Sequence, residues 1–396
     1  MKHNSTRVTM TLRAAVALLA VGLVTSCAST ADDNKGGDAS ETRSSASRPT
    51  AAGAFMEELA KGYESGVPTK GPAPAKGKSV WWISCGESIP DCSVPAAAAG
   101  EAAKTMGIKF NIADGKLNVG GGNAAAIRTA LAAGPDAIIL HGMSCSTVQQ
   151  PLTEARDAGV LVMGVEGLDC SDEPGGGQSL FSVKMKYSDS APTVIDYFRS
   201  WGVLGAKYLA GATGGKAKVI HNAGVEPLQK VVSDAFIQEL GNCKGCEIVD
   251  TVEHGSPDYG PNGAWIQQFR TALAKNPTAN ATYLWADALL SFSGGVQAVK
   301  DSGLDMVTAG GVGGAVGMDL VREGKLDAVT GAHDVKWIGY AAMDNINRAL
   351  NGEDTVPQGV GSVVVDAQHN LPEKAGSDYA SAIDWKSAYE KLWSGQ

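Results

Sequence analysis

Between residues 78 and 167, short apolar runs alternate with longer stretches whose apolar positions recur at helical spacing. "KSVWWIS" (78–84), "IKFNIAD" (108–114), "DAIILHG" (136–142) and "VLVMGVEG" (160–167) read as strands. "PAAAAGEAAKTMG" (95–107), "GGNAAAIRTALAAG" (121–134) and "VQQPLTEARDAG" (148–159) read as the helices between them. Apolar runs this short, separated by helices, predict a parallel sheet covered on both faces and wound by right-handed crossovers. Gly107, Gly134 and Gly159 each stand between a helix and the next strand, where C-cap glycines belong.

A second series follows. A long helix over 189–211 leads to strands at 216–224, 246–254, 281–287 and 306–314, with helices at 226–240, 264–277 and 289–303 between them. The expected fold class is therefore α/β: two similar lobes, each a parallel sheet flanked by helices, joined by hinge crossovers. Residues 77–184 with 334–358 form the expected N-terminal lobe, and 185–333 with 359–396 the C-terminal lobe. Open parallel sheets take ligands beyond the carboxyl ends of their strands, so two such lobes predict a cleft between them.

The region before residue 77 reads differently. Lys2, Arg7 and Arg13 precede an apolar stretch, "AAVALLAVGLV" (14–24), that is short for a membrane span. It ends in "VTSC", which resembles a bacterial lipobox and marks residues 1–26 as a signal peptide and Cys27 as the lipidated residue. Residues 28–53 are rich in Ser, Ala, Asp, Gly and Thr, too polar to offset their ordering entropy. Residues 27–76 are expected as a lipid-anchored flexible tether with a short helix. The expected location is extracytoplasmic, on the cell membrane.

The formal net charge of -9 argues against a nucleic-acid partner, which needs a basic face. Of seven cysteines, lipidation of Cys27 leaves six, an even number suited to an oxidising compartment. Proximity favours Cys85–Cys92 and Cys243–Cys246, with Cys145–Cys170 as the remainder; sequence alone leaves other pairings open. "CKGC" (243–246) also has metal-ligand spacing, but no second cysteine pair completes a site, and no metal is expected.

Three stretches carry a family resemblance. They are "IRTALAAGPDAIILHGMSCSTVQQPLTEARDAGVLVMGVE", "ATYLWADALLSFSGGVQAVKDSG" and, most specifically, "MDLVREGKLDAVTGAHDVKWIGYAAMDNINRALNG". Across residues 77–360 the chain resembles the sugar-type (type I) periplasmic binding proteins that feed ABC importers. That resemblance implies a ligand held between the lobes and residues placed by position. Ser84 to Asp91, including Glu87, would face the cleft after the first strand. Glu166 stands where many sugar binders put an acid before an arginine; here Gly167 follows, and the acid–arginine clamp is broken. Asp287 matches the acid after a second-lobe strand, with Ala286 replacing an amide. Val312 stands where a carboxylate is common. His333 matches a polar hinge residue, and Tyr259 lies in a loop where a stacking aromatic is frequent.

Trp285 and Trp337 lie near predicted strand ends and join the candidates, although core packing is the plainer reading of a tryptophan there. Trp81 and Trp82, adjacent in a strand, point to opposite faces and read as core. Glu166 and Asp287 equally suit a salt bridge or a helix cap. His333–Asp334 has the look of a base with its orienting acid, but no nucleophile motif accompanies it. "GGGN" (120–123) lacks the Lys-Ser/Thr ending of a phosphate loop. No catalytic residue and no cofactor is expected.

The functional expectation is a monomeric, non-enzymatic lipoprotein. It captures a small sugar-like, polar or aromatic solute by lobe closure and delivers it to an ABC permease. The alternatives are a ligand-presenting sensor subunit and, further off, an extracytoplasmic hydrolase.

Overall fold

The computed structural model describes residues 53–260 and 263–395. The signal peptide, Cys27 and the tether as far as residue 52 lie outside them. Helix α1 (Gly53–Lys61) comes first, and then the first lobe begins: β1 (Ser79–Ser84), α2 (Pro90–Met106), β2 (Lys109–Asp114), α3 (Gly122–Ala132), β3 (Ala137–His141), α4 (Gln149–Asp157), β4 (Leu161–Val165) and the short β5 (Val183–Lys184). These strands form one parallel sheet in the order β2-β1-β3-β4-β5.

The second lobe runs α5 (Val194–Ala212), β6 (Lys218–Gly224), α6 (Pro227–Leu240), β7 (Glu247–His254), α7 (Ala264–Lys275), β8 (Ala281–Leu284), α8 (Gly295–Ser302), β9 (Val307–Gly310), α9 (Ala315–Arg322) and β10 (Ala328–Ala332). Helix α10 (Val335–Leu350) crosses back, β11 (Val363–Asp366) returns, and α11 (Trp385–Ser394) ends the described chain. The second sheet has the order β11-β10-β9-β8-β6-β7 and is parallel except for β11, which is antiparallel to β10.

Local chemistry explains the element ends. Pro90 opens α2, where its missing N–H is not needed, and Gly107 closes it in the left-handed region. Thr193 Oγ1 caps α5 by accepting the Asp196 N–H at 3.1 Å. Asp334 caps α10 by accepting the Lys336 and Trp337 N–H groups. The tryptophan pair of β1 divides as the strand pleat requires. Trp82 is fully buried in the main core, while Trp81 packs from the other side of the sheet against Ile83 and its neighbours.

Three expectations need correction. The segment from 53 to 76 is packed on the body, not tethered: Met56 and Leu59 of α1 are buried in the main core, and Ala75 N–H donates to Asn347 Oδ1 at 2.8 Å. Its amphipathic pattern is short and follows a polar run, so composition over the whole window concealed it. The helix expected over 289–303 is broken at Gly294, which has φ 86°; a wide turn over 288–292 precedes α8. The last helix, α11, packs on α10 and reaches the first lobe through Lys386–Glu101 at 2.9 Å, not the second lobe. Among the described residues no helix is long and apolar enough to cross a membrane.

A buried polar network ties the crossovers together. Asp344 of α10 accepts from Arg348 Nε at 2.7 Å, Gln358 Nε2 at 3.0 Å and Trp393 Nε1 at 3.0 Å. Arg348 also donates to the Lys70 carbonyl at 2.6 Å. The Tyr187 carbonyl receives both the Gln358 and Gly359 N–H groups at 2.6 and 2.7 Å, joining two of the chain crossings between lobes. Removing one partner of a buried ion pair leaves the other charge uncompensated. Arg348→Leu is therefore expected to lower stability by about 3–5 kcal/mol in chemical denaturation; a loss below about 1 kcal/mol, the range of exposed pairs, would show that the network is dispensable.

Candidate functional site

The carboxyl ends of the strands carry the polar groups. Glu166 follows β4 with φ 53°, a left-handed conformation that a non-glycine residue holds only when its surroundings require it. Here its backbone N–H donates to Tyr187 Oη at 2.8 Å, which fixes the turn. Its carboxylate accepts from His141 Nε2, at the end of β3, at 3.1 Å. His333 follows β10 in the second lobe and brings its Nε2 to 3.6 Å from Glu166 Oε1. The His333 Nδ1–H donates to the Gly331 carbonyl at 3.0 Å, which sets the ring's orientation. Burial would raise the Glu166 carboxyl, but His141 and His333 outweigh it and hold it below the ordinary carboxylate value.

Aromatic faces continue from His333. Its ring stacks on Trp201 of α5, with centroids 5.2 Å apart and planes at 12°, and Trp201 lies 6.0 Å from Trp285. Trp285 Nε1 donates to His254 Nε2 at 3.2 Å. Burial pushes the His254 imidazole down to about 4, so at neutral pH that nitrogen is available as an acceptor. Trp201 Nε1 is buried and has no hydrogen-bond partner among the described residues.

A second group of acids stands beside the start of α9. Asp287 accepts the Val312 N–H at Oδ1 and the Gly314 N–H at Oδ2, both at 2.8 Å. Asp378 Oδ1 accepts the Ala315 N–H at 2.9 Å. Together they satisfy amides that a glycine-rich turn and a helix start leave unpaired. Across the cleft, Asp91 lies in the first turn of α2; a Cβ placed on Gly314 would come 3.9 Å from its Oδ1. Asp91 keeps solvent-exposed surface yet is ringed by protein, with His333, Glu166, His141 and Asp378 all acting on it. Enclosure, with Glu166 and Asp378, raises its carboxyl, and the two histidines oppose that rise. Asp287 is pushed up to about 7, first by burial and then by the Asp91 charge, with its two amide donors pulling the other way.

Of the expected residues, Asp91, Glu166, Asp287, His333 and Trp285 converge. Ser84 is buried at the end of β1, and its Oγ accepts the Gly86 N–H at 3.3 Å, so it shapes the turn. Glu87 is held through its N–H to Asp114 Oδ1, and nothing ties its carboxylate to the acids above. Tyr259 ends the turn Ser256–Tyr259, and its side chain lies outside what the structure describes. Trp337 is a correction: it is fully buried, donates to Tyr389 Oη at 3.4 Å and stacks on Trp385, because its position inside α10 faces α11 and not the strand ends. His141, Trp201 and Asp378 were missed. His141 ends "AIILH", and its place at a strand end was a signal in the sequence; Trp201 sits in a helix, and Asp378 in a patternless C-terminal loop.

The cysteines pair as Cys85–Cys92, Cys145–Cys170 and Cys243–Cys246. The first bridge closes the segment that carries Asp91, and its Cys85 Sγ lies 3.8 Å from His141 Nδ1. Cys243 and Cys246 therefore do not offer thiolates to a metal, and among the described residues no His, Cys, Asp and Glu side chains group as a metal site.

Comparison with known proteins places this geometry. Residues 81–354 match the family model described as periplasmic binding protein domain. Among solved structures, the chain is similar to the periplasmic binding component of an arabinose ABC transporter from a Shewanella species, bound to L-arabinofuranose. That match has 19% identity and a TM-score of 0.59, covering 80% of this chain and 96% of that one. A solute-binding protein from Agrobacterium vitis with bound α-D-tagatopyranose matches at 22% identity and TM-score 0.60, covering 77% and 100%. One from Actinobacillus succinogenes with D-allose matches at 19% and 0.59, covering 74% and 98%. No curated protein sequence matches.

The repulsion between the two acid groups has a measurable consequence. Asp287, at about 7 when folded against an ordinary 3.8, contributes stability that is full below pH 4 and lost as pH rises through 7. Asp91→Asn removes one neighbouring charge. The ligand-free variant is expected to melt about 1–3 °C above the native protein at pH 8, with the gap closing near pH 4. A variant that melts lower at pH 8 would contradict this placement of Asp91.

Proposed function

Because the chain belongs to the periplasmic binding protein domain family, we propose that it is a lipid-anchored extracytoplasmic receptor. It captures a small polar solute between its lobes and hands it to an ABC permease. Family membership supports solute capture and an extracytoplasmic setting, and its relatives are binding proteins, not enzymes. The lipid anchor at Cys27, the permease partner and the monomeric state rest on the sequence and on the family's habit.

The observation that carries this reading is the meeting of Glu166 and Asp91 from the first lobe with His333 and Asp287 from the second. Groups so arranged touch one ligand from both sides only when the lobes are together, so binding and closure are the same event. Trp285 offers an aromatic face beside them, suited to the apolar side of a ring. Glu166, held by two histidines, stays ionised and accepts from the ligand's donors.

A thermal-shift screen over sugars, polyols, nucleosides and aromatic acids tests the reading. A ligand at 100 times its dissociation constant stabilises by about 2.7 kcal/mol, an easily detected shift. Glu166→Gln and Trp285→Ala are each expected to weaken the compound found by about tenfold or more, with circular dichroism unchanged. Native affinity in both variants would place the solute elsewhere.

A further inference from the structure

The cleft is rich in carboxylates and poor in cations. Asp91, Glu166, Asp287 and Asp378 are brought to one region from two lobes and the C-terminal segment. Among the described residues, no lysine or arginine forms an ion pair with any of them; those that do form ion pairs hold other acids. The basic groups that do reach them are His141 and His333, and Glu166 engages both.

The position beside Glu166 cannot supply the missing cation. Gly167 is packed so closely that any Cβ there would collide with the Met143 carbonyl. Asp287 and Asp378 have part of their charge met by backbone amides, whereas the Asp91 carboxylate, which keeps exposed surface, has no such amide among the described residues. Aromatic rings run on from His333: Trp201 stacks on it, Trp285 lies 6.0 Å from Trp201, and the Trp201 indole N–H is buried without a hydrogen-bond partner among the described residues.

We propose that the solute taken by this cleft carries a protonated amine, which Asp91 and Asp287 hold between the lobes while Trp285 covers its carbon skeleton. This rests on the solute-capture reading and narrows it. A neutral polyol would donate to these carboxylates but leave like charges facing each other across the closed lobes. A cation brings in the counter-charge that the protein does not provide. Closure is then stabilised by the ligand itself, and the empty protein is disfavoured in the closed form by its own acids.

Matched triplets decide the matter. Glucosamine, galactosamine and mannosamine are each compared with the neutral parent sugar and with the N-acetyl derivative, which keeps the shape and removes the charge. Putrescine is set beside 1,4-butanediol. Calorimetric titration of the native protein at pH 7.5 is expected to give at least one amine a dissociation constant tenfold or more below its neutral partners. In Asp91→Asn the ratio of the neutral partner's dissociation constant to that of the amine is expected to shrink at least fivefold. Neutral compounds that bind as well as or better than their amines overturn the proposal and leave solute capture intact. No binding by any compound of either kind, with the protein folded, counts against both.

Discussion

Carboxylates from opposite lobes face one another in this protein, and the rest of the site is arranged around that repulsion. Asp91 is carried in by the first turn of α2, Asp287 by the end of β8. Neither position is forced by burial of apolar surface. Each is maintained by local devices: the Cys85–Cys92 bridge on one side, and the Val312 and Gly314 amides on the other. Such an arrangement is uphill for an empty cleft and becomes favourable once a ligand supplies donors or charge, as a capture device requires. An aromatic run from His333 through Trp201 to Trp285 lies beside these carboxylates.

Holding two lobes in register takes a hinge that does not yield elsewhere. Glu166 is fixed in its left-handed turn by Tyr187 Oη, and the Tyr187 carbonyl in turn receives Gln358 and Gly359. Gln358 reaches Asp344, which Arg348 and Trp393 complete. A chain of buried hydrogen bonds thus runs from Glu166 to α10 and α11.

Much of the fold was legible because parallel sheets need apolar strands and helices need a stripe, and both leave period-specific traces. The family resemblance pointed to Glu166, Asp287 and His333 by position, and closeness to a predicted strand end pointed to Trp285. Trp337 failed the same rule because it belongs to α10 and the rule applies to strands. His141 was overlooked although it ends the apolar run of β3. Trp201 and Asp378 were not readable: one is an ordinary position in the long apolar α5, and the other reaches the cleft only by the return of the C-terminal segment. The packing of residues 53–76 was hidden for a related reason, since it depends on Asn347 and Arg348, far along the chain.

The most direct test of the account is the ionisation of the aspartates themselves. A carbon-13 NMR titration of selectively labelled aspartate carboxyls, with Asp287→Asn to assign the resonance, reads each midpoint in the ligand-free protein. The account predicts that Asp287 titrates at about 7 and that Asp91 also lies above the ordinary aspartate value. Midpoints below about 5 for every aspartate, the range of unperturbed groups, would mean that the two sets of acids do not meet, and the cleft described here would not be the site.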